Sequence, residues 1–202
     1  MCRVSGCVVT IALALAAPAA AQAPLPPVED VPWPPLRARC QRLLKEMDGR
    51  LPPATAKELA RLVDGRADPD GAAAAAQKLL DPLCLVGVHI NPESRVKVAR
   101  GPAAAELRLG QESRVLVKVH NEAGVTHPLK VSGPQLRPAK AGWLEAAVAG
   151  KALSGRKLDY VVLRLKPHEA GKREATLRFD VGQGTQDIGF RGEVPVLFAV
   201  RK

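Results

Sequence analysis

Histidine and acidic side chains in the stretch VLVKVHNEAGVTHPLKV are the first groups in this sequence that could bind a metal ion. His120 and His127 lie on either side of a turn, and the nearest acidic side chain, Glu122, lies within that turn. A zinc site needs three or four ligands, yet His89 and His168 are distant in the sequence, and no HxH or HExxH spacing unites them. The pattern favours a solvated β-hairpin over a metal site, and it predicts no cofactor.

Other patterns that indicate catalysis are also missing from the sequence. No serine occupies a G-x-S-x-G nucleophile elbow. The glycine-rich stretch VGQGTQDIG follows a strand pattern, opens no helix and lacks the lysine of a P-loop. We interpret it as a long β-turn whose glycines adopt positive φ. The sequence therefore predicts no catalytic residue.

The histidine-bearing stretch belongs to a long region, residues 84–202, in which apolar and polar residues alternate. Short alternating segments such as SRVLVKVHN, DYVVLRLK and EATLRFDV are separated by turns rich in Gly, Pro, Asn and Asp. Roughly eight or nine such strands are typical of an immunoglobulin-like β-sandwich. We therefore predict a mainly β fold, with an Ig-like antiparallel β-sandwich over residues 84–202.

The alternation also predicts which side chains face the core. We expect Trp143 to pack in the core at the start of a strand. The residues predicted to point inward are Val115, Val117, Val119, Ala175, Leu177, Phe179 and Val181. The residues predicted to point outward are Arg114, Lys118, His120, Thr176, Arg178 and Asp180.

Two shorter regions precede the predicted sandwich. Residues 22–35 are rich in proline, which indicates an extended, solvated linker that at most docks Trp33 on the protein. Residues 36–83 contain three segments with apolar residues at helical spacing, so we predict a helical segment of about three helices.

Residues 1–21 have the pattern of an export signal. Arg3 precedes the apolar run CVVTIALALAA, and Ala19 and Ala21 satisfy the small-residue requirement for cleavage after Ala21. Pro18 interrupts the run, which is shorter than the ~20 residues of a membrane span, so a retained anchor is the less favoured alternative. We predict a periplasmic or extracellular protein with no membrane span after processing.

Cysteine usage agrees with export. Cys2 and Cys7 would leave with the signal, and Cys40 and Cys84 would remain as an even pair in an oxidising compartment. We therefore predict a disulfide between them. It would stabilise the fold by roughly 4 kcal/mol, because a cross-link reduces the conformational entropy of the unfolded chain. No His or Cys lies at ligand spacing from either residue, so a metal pair is less favoured.

The basic character of the chain bears on its partners. The formal net charge is +10, which would attract polyanions such as envelope polysaccharide or lipid headgroups. Lys and Arg are scattered rather than clustered and are not interleaved with aromatic residues, so a specific nucleic-acid surface is not expected.

Three stretches carry a resemblance to a known family: INPESRVKVARGPAAAEL, LVKVHNEAGVTHPLKV and AGKREATLRFDVGQGTQDIGFRGEVPVLF. From about Cys84 to Val200, and in LLDPLC before it, the chain resembles the N-terminal, non-catalytic region of secreted bacterial metallohydrolases of the carbaryl-hydrolase-like branch of the PHP superfamily. The metal ligands of that family lie in a later domain, and no residue here matches one. The resemblance implies an accessory β-sandwich without the catalytic domain.

We therefore predict an exported, non-enzymatic accessory protein that makes protein–protein or envelope contacts with an unidentified partner, for instance a secreted hydrolase. The alternatives are a fragment or subunit of a secreted metallohydrolase and a basic polyanion-binding envelope protein. Loops on a rigid scaffold often carry recognition, so we place the candidate interaction surface on two turns and the basic strand faces beside them. Its residues are Arg114, Lys118, Asn121, Glu122, Arg178, Gln183 and Gln186.

Overall fold

The structure of the protein, a computed structural model, describes residues 23–65, 69–140, 142–150, 152–182 and 188–202. The α-helices of this part of the chain are α1 (Trp33–Met47), α2 (Pro53–Val63) and α3 (Pro69–Leu80). A 3₁₀ turn, Asp81–Leu83, follows α3. The strands are β1 (Cys84–Ile90), β2 (Val96–Arg100), β3 (Glu106–Arg108), β4 (Ser113–Asn121), β5 (Lys130–Ser132), β6 (Leu144–Val148), β7 (Leu158–Pro167), β8 (Gly171–Asp180) and β9 (Arg191–Arg201). The mainly β class with three preceding helices is confirmed.

The strands form two mixed sheets rather than the wholly antiparallel arrangement that was predicted. The five-stranded sheet has the order β2-β1-β4-β7-β6, and the four-stranded sheet has the order β3-β9-β8-β5. β1 pairs with β4 in parallel, as does β3 with β9, whereas the other pairs are antiparallel. Alternation along a strand fixes which side chains share a face, but it does not fix the neighbour or its direction.

The predicted hairpin around the sequence NEAG is wrong. β4 is an inner strand whose two edges are occupied by β1 and β7, so β5 cannot pair with it and instead pairs with β8 in the other sheet. The Asn121 side chain organises the change of sheet. Its amide donates to Val125 O at 2.9 Å, and its oxygen accepts from Val125 N at 3.0 Å.

One hydrophobic core contains buried residues of both sheets, and we call the side of each sheet that contributes to it the inner face. Trp143 is buried there, as predicted, and meets Phe198 edge to face with a centroid separation of 6.0 Å. The alternation in β8 is confirmed, because its predicted inward residues Ala175, Leu177 and Phe179 are buried, as is Val181 directly after the strand.

A second core lies between the outer face of the five-stranded sheet and the helices. β4 and β7 contribute Leu116, Leu158, Tyr160 and Val162, and the helices contribute residues such as Leu43. β4 and β7 are thus buried on both faces. For this reason Lys118, predicted to face solvent, is only 3% exposed.

The proline-rich leader is not a solvated linker. Leu25 and Val28 are buried, and the Gln77 side chain of α3 bonds both backbone groups of Val28, accepting from its N–H at 2.8 Å and donating to its oxygen at 2.9 Å. α1 begins at Trp33, earlier than predicted, because prolines are well tolerated in the first turn of a helix. The leader is therefore part of the folded body, while residues 1–21 lie outside the described residues.

The predicted disulfide between Cys40 and Cys84 is corrected by the structure, in which both are free, buried thiols. Cys84 Sγ donates a hydrogen bond to Leu80 O at 3.3 Å. Burial raises the pKa of Cys40 to about 12 and also raises the pKa of Cys84. Both groups therefore stay protonated and packed in the second core.

We expect these two thiols to resist alkylation in the folded protein, because the thiolate is the reactive form and both groups are buried. A chain beginning at Gln22 should gain no mass from iodoacetamide in native buffer. In denaturant without reductant it should gain the mass of two adducts. The absence of adducts in denaturant would contradict the free thiols and support the predicted disulfide.

Candidate functional site

Part of the outer face of the five-stranded sheet is covered by the leader rather than by helices. The leader residues 25–27 and the outward-facing residues of β1, β2 and β4 enclose an open groove of about 290 Å³. The groove approaches the sheet closely at Gly87, where a Cβ atom would lie only 2.7 Å from Leu25 Cδ2. A side chain at Gly87 would therefore displace the buried Leu25 side chain.

The parallel pairing of β1 with β4 places His89 and His120 side by side. They are register partners on the outer face, and both line the groove. Their rings stack with centroids 4.7 Å apart and planes inclined by 17°. Glu122 follows β4 and is kept beside β1, because its backbone N–H donates to Ile90 O at 2.9 Å. Two imidazoles and one carboxylate thus converge from strands that are distant in the sequence.

The distances within this cluster, which we call the His-His-Glu site (His89, His120, Glu122), are short. His89 Nε2 lies 2.9 Å from Glu122 Oε2, and His120 Nε2 lies 3.7 Å from Glu122 Oε1. One ligand atom from each residue can be chosen so that all three lie within 4.8 Å of one another. Among the described residues, this is the one group of three that brings such atoms together.

One imidazole nitrogen of the site lacks a hydrogen-bond partner. His120 Nε2 is inaccessible to water and has no hydrogen-bond partner within the described part of the chain. Burial lowers the pKa of His120 below its usual 6.5, and the neighbouring His89 lowers it further. The hydrogen bond from His89 lowers the pKa of Glu122. At neutral pH the site therefore offers a neutral imidazole next to a carboxylate.

Among the residues of the predicted interaction surface, only Glu122 belongs to this site. Lys118 lies under the leader, where its amine donates to Pro26 O at 2.8 Å, and Asn121 is buried in the turn described above. Arg114 is half-buried against α1 and donates to Glu46 O at 2.6 Å.

Arg178, by contrast, lies on the four-stranded sheet and pairs with Glu193 at 2.9 Å. Gln183 and Gln186 lie outside the described residues. The structure thus distributes the described members of this set over different faces.

Sequence reasoning missed His89 because it considered ligand spacing along the chain. A signal was nonetheless present, since each histidine is the next-to-last residue of its strand, in CLVGVHI and in SRVLVKVHN. Two strands that pair in parallel with their ends aligned bring such residues together. His168 offers a contrast, because it pairs only with Glu145, at 2.7 Å, and has no second imidazole in the described structure nearby.

None of the described helices is long and apolar enough to cross a membrane. No protein-family model matches the chain, and no curated protein matches it either. The resemblance to the non-catalytic region of carbaryl-hydrolase-like proteins therefore remains a prediction.

Proposed function

We propose that the protein is an exported, non-enzymatic binding module that holds a divalent transition metal at the His-His-Glu site. The observation that carries this proposal is the convergence of His89, His120 and Glu122, whose ligand atoms lie within 4.8 Å of one another. The unpartnered Nε2 of His120 supports it, because a buried polar atom without a partner is costly unless a ligand completes it.

The distances are compatible with tetrahedral coordination. Donor atoms bound to zinc at 2.0–2.1 Å are about 3.3–3.4 Å apart in a tetrahedron. The two contacts, 2.9 Å from His89 Nε2 to Glu122 Oε2 and 3.7 Å from His120 Nε2 to Glu122 Oε1, involve different carboxylate oxygens and lie on either side of this value. Rotation of the Glu122 carboxylate and tilting of the two stacked rings would bring one donor atom of each residue around a single ion, with His89 in the tautomer that carries its proton on Nδ1.

The donor set determines which metals the site prefers. Imidazole suits zinc, copper, nickel and iron, whereas calcium and magnesium prefer oxygen ligands. Two imidazoles with one carboxylate therefore favour Zn²⁺ or a similar transition metal. We also propose that the two sheets form the Ig-like sandwich of an accessory module, as the shared core between their inner faces supports.

We expect a chain beginning at Gln22, without a histidine tag, to bind one Zn²⁺. His120→Ala should weaken binding by at least about 100-fold, because even the loss of an outer-shell partner costs 10–100-fold in metal affinity. Isothermal titration calorimetry with ZnCl₂ gives both the number of zinc ions bound and the affinity. The same titration with CaCl₂ should show no binding.

The matched control is His168→Ala, which removes an imidazole that pairs with a single carboxylate, Glu145, at 2.7 Å. It should bind zinc as the unaltered chain does. Equal loss of binding in the two variants, or no loss in either, would place the metal elsewhere and refute the site.

The second candidate function is metal-assisted hydrolysis, in keeping with the alternative of a metallohydrolase fragment or subunit. The same donor set favours it, because some zinc hydrolases bind their metal through two histidines and one glutamate. Hydrolysis of 4-nitrophenyl acetate by the zinc-loaded chain, abolished by His120→Ala but unchanged by His168→Ala, would support an enzyme. A rate no greater than that of free zinc would favour the binding module.

A further inference from the structure

The groove and the His-His-Glu site share two side chains, His89 and His120. This overlap indicates which class of ligand the protein could bind. We propose that the metal-loaded groove binds a small alkyl carboxylic acid, with the carboxylate on the metal and the alkyl chain under the leader. The inference rests on the proposed metal site and names the ligand class for it.

The coordination shell leaves room for an external ligand. A tetrahedral metal with three protein ligands keeps a fourth position for water or substrate. Among the described residues, no fourth His, Cys, Asp or Glu joins the cluster. The two imidazoles also line the groove, whereas Glu122 does not, so a metal that the three residues hold would lie at the border of the groove.

The charges around the site favour an anionic head group. Lys97 is the register partner of His89 on β2, is exposed, lines the groove and has no ion-pair partner in the described structure. A divalent metal balanced by a single carboxylate, that of Glu122, adds further positive charge. Lys118 contributes little, because its amine is already neutralised by Asp81 at 2.7 Å. A carboxylate could bind the metal and approach Lys97 at the same time.

The walls of the groove favour an apolar tail of limited length. Leu25, Pro26 and Pro27 face the sheet from the leader, and Ala99 lines the opposite wall. At about 290 Å³ the groove lies at the small end of ligand pockets, which usually measure about 300–1,000 Å³. These dimensions suit a short alkyl chain rather than a long fatty acid or a peptide.

The test compares three probes on the zinc-loaded chain by calorimetry: hexanoate, acetate and 1-hexanol. We expect hexanoate to bind at least about tenfold more tightly than acetate, because each buried methylene adds up to about fourfold in affinity. Hexanol, which has a similar tail but no charge, should bind at least about tenfold more weakly than hexanoate. The zinc-free chain should not bind hexanoate measurably.

Two variants locate the ligand. Ala99→Phe fills the groove from an exposed position on the edge strand β2 and should abolish hexanoate binding while zinc binding is retained. Ala147→Phe makes the same change at an exposed position on β6, the opposite edge strand of the same sheet. It should leave hexanoate binding and zinc binding unchanged. Circular dichroism of both variants verifies that they fold.

The outcomes separate the two proposals. Zinc binding without a preference for hexanoate over acetate and hexanol would overturn this inference and leave the metal site intact. Equal binding of hexanoate to the zinc-free chain would also overturn it, since the groove would then act without the metal. Failure to bind zinc at all would refute the proposed function and this inference with it.

Discussion

Replacing Asp81 with alanine is expected to lower the free energy of unfolding by about 3–5 kcal/mol, because it leaves a buried lysine unpaired. Asp81 Oδ2 lies 2.7 Å from Lys118 Nζ, and the two side chains are 16% and 4% exposed. Asp81 Oδ1 also accepts a 2.6 Å hydrogen bond from the Tyr160 hydroxyl. Burial raises the pKa of Tyr160, and the adjacent Asp81 raises it further, so the hydroxyl keeps its proton and donates it.

Urea unfolding followed by circular dichroism measures this change. The double variant Asp81→Ala with Lys118→Met should recover much of the loss, because it removes the unpaired charge as well as its partner. Glu58→Ala is the matched surface control. It breaks the exposed pair with Arg61 and should cost less than about 1 kcal/mol. A loss in Asp81→Ala no larger than that in Glu58→Ala would contradict the assigned role of Asp81.

A chain that begins at Cys84, at the predicted boundary of the β-region, is expected to aggregate or fail to fold. Removing the leader and the helices would expose the outer-face side chains Leu116, Leu158 and Val162 of β4 and β7. Contiguous apolar surface of this kind drives association. The shortened chain also loses Arg39, whose Nε donates to Tyr160 O at 2.5 Å.

Size-exclusion chromatography with light scattering distinguishes the outcomes, and the chain beginning at Gln22 is the control. We expect the control to elute as a folded protein and the shortened chain to elute as aggregate or to lack the circular dichroism of a folded sheet. A folded, monomeric shortened chain would show instead that residues 84–202 form an independent domain.

Local patterns in the sequence predicted the helices and strands, and the face of β8 that points into the core. The alternation of Ala175, Leu177 and Phe179 with polar residues on β8 gave the correct inward face, because the other face of that strand meets solvent. β4 carries the same alternation, but the helices, the 3₁₀ turn and the leader cover much of its second face. Its outward residue Lys118 is therefore buried against Asp81, a contact that spacing within the strand cannot reveal.

The candidate site was harder to predict than the fold because its parts meet only through strand pairing. The turn residue Glu122 and the strand residue His120 were both considered as ligands from the sequence. The third ligand, His89, enters through the parallel pairing of β1 with β4, which depends on how the whole sheet packs. In the same way, the leader contains no pattern that indicates its bonds to Gln77, because that contact joins residues on separate elements.

The parallel pairing of β1 with β4 also has a kinetic consequence. β1 can pair with β2 through a short connection, whereas its pairing with β4 requires the chain to cross over and return, and such non-local contacts form slowly. The His-His-Glu site spans this non-local pairing. On the hypothesis that this pairing forms after the transition state, we expect a metal bound there to slow unfolding more than it speeds folding. Stopped-flow measurement of the unfolding rate constant with and without zinc tests this expectation. The metal would then increase the kinetic stability of the sheet.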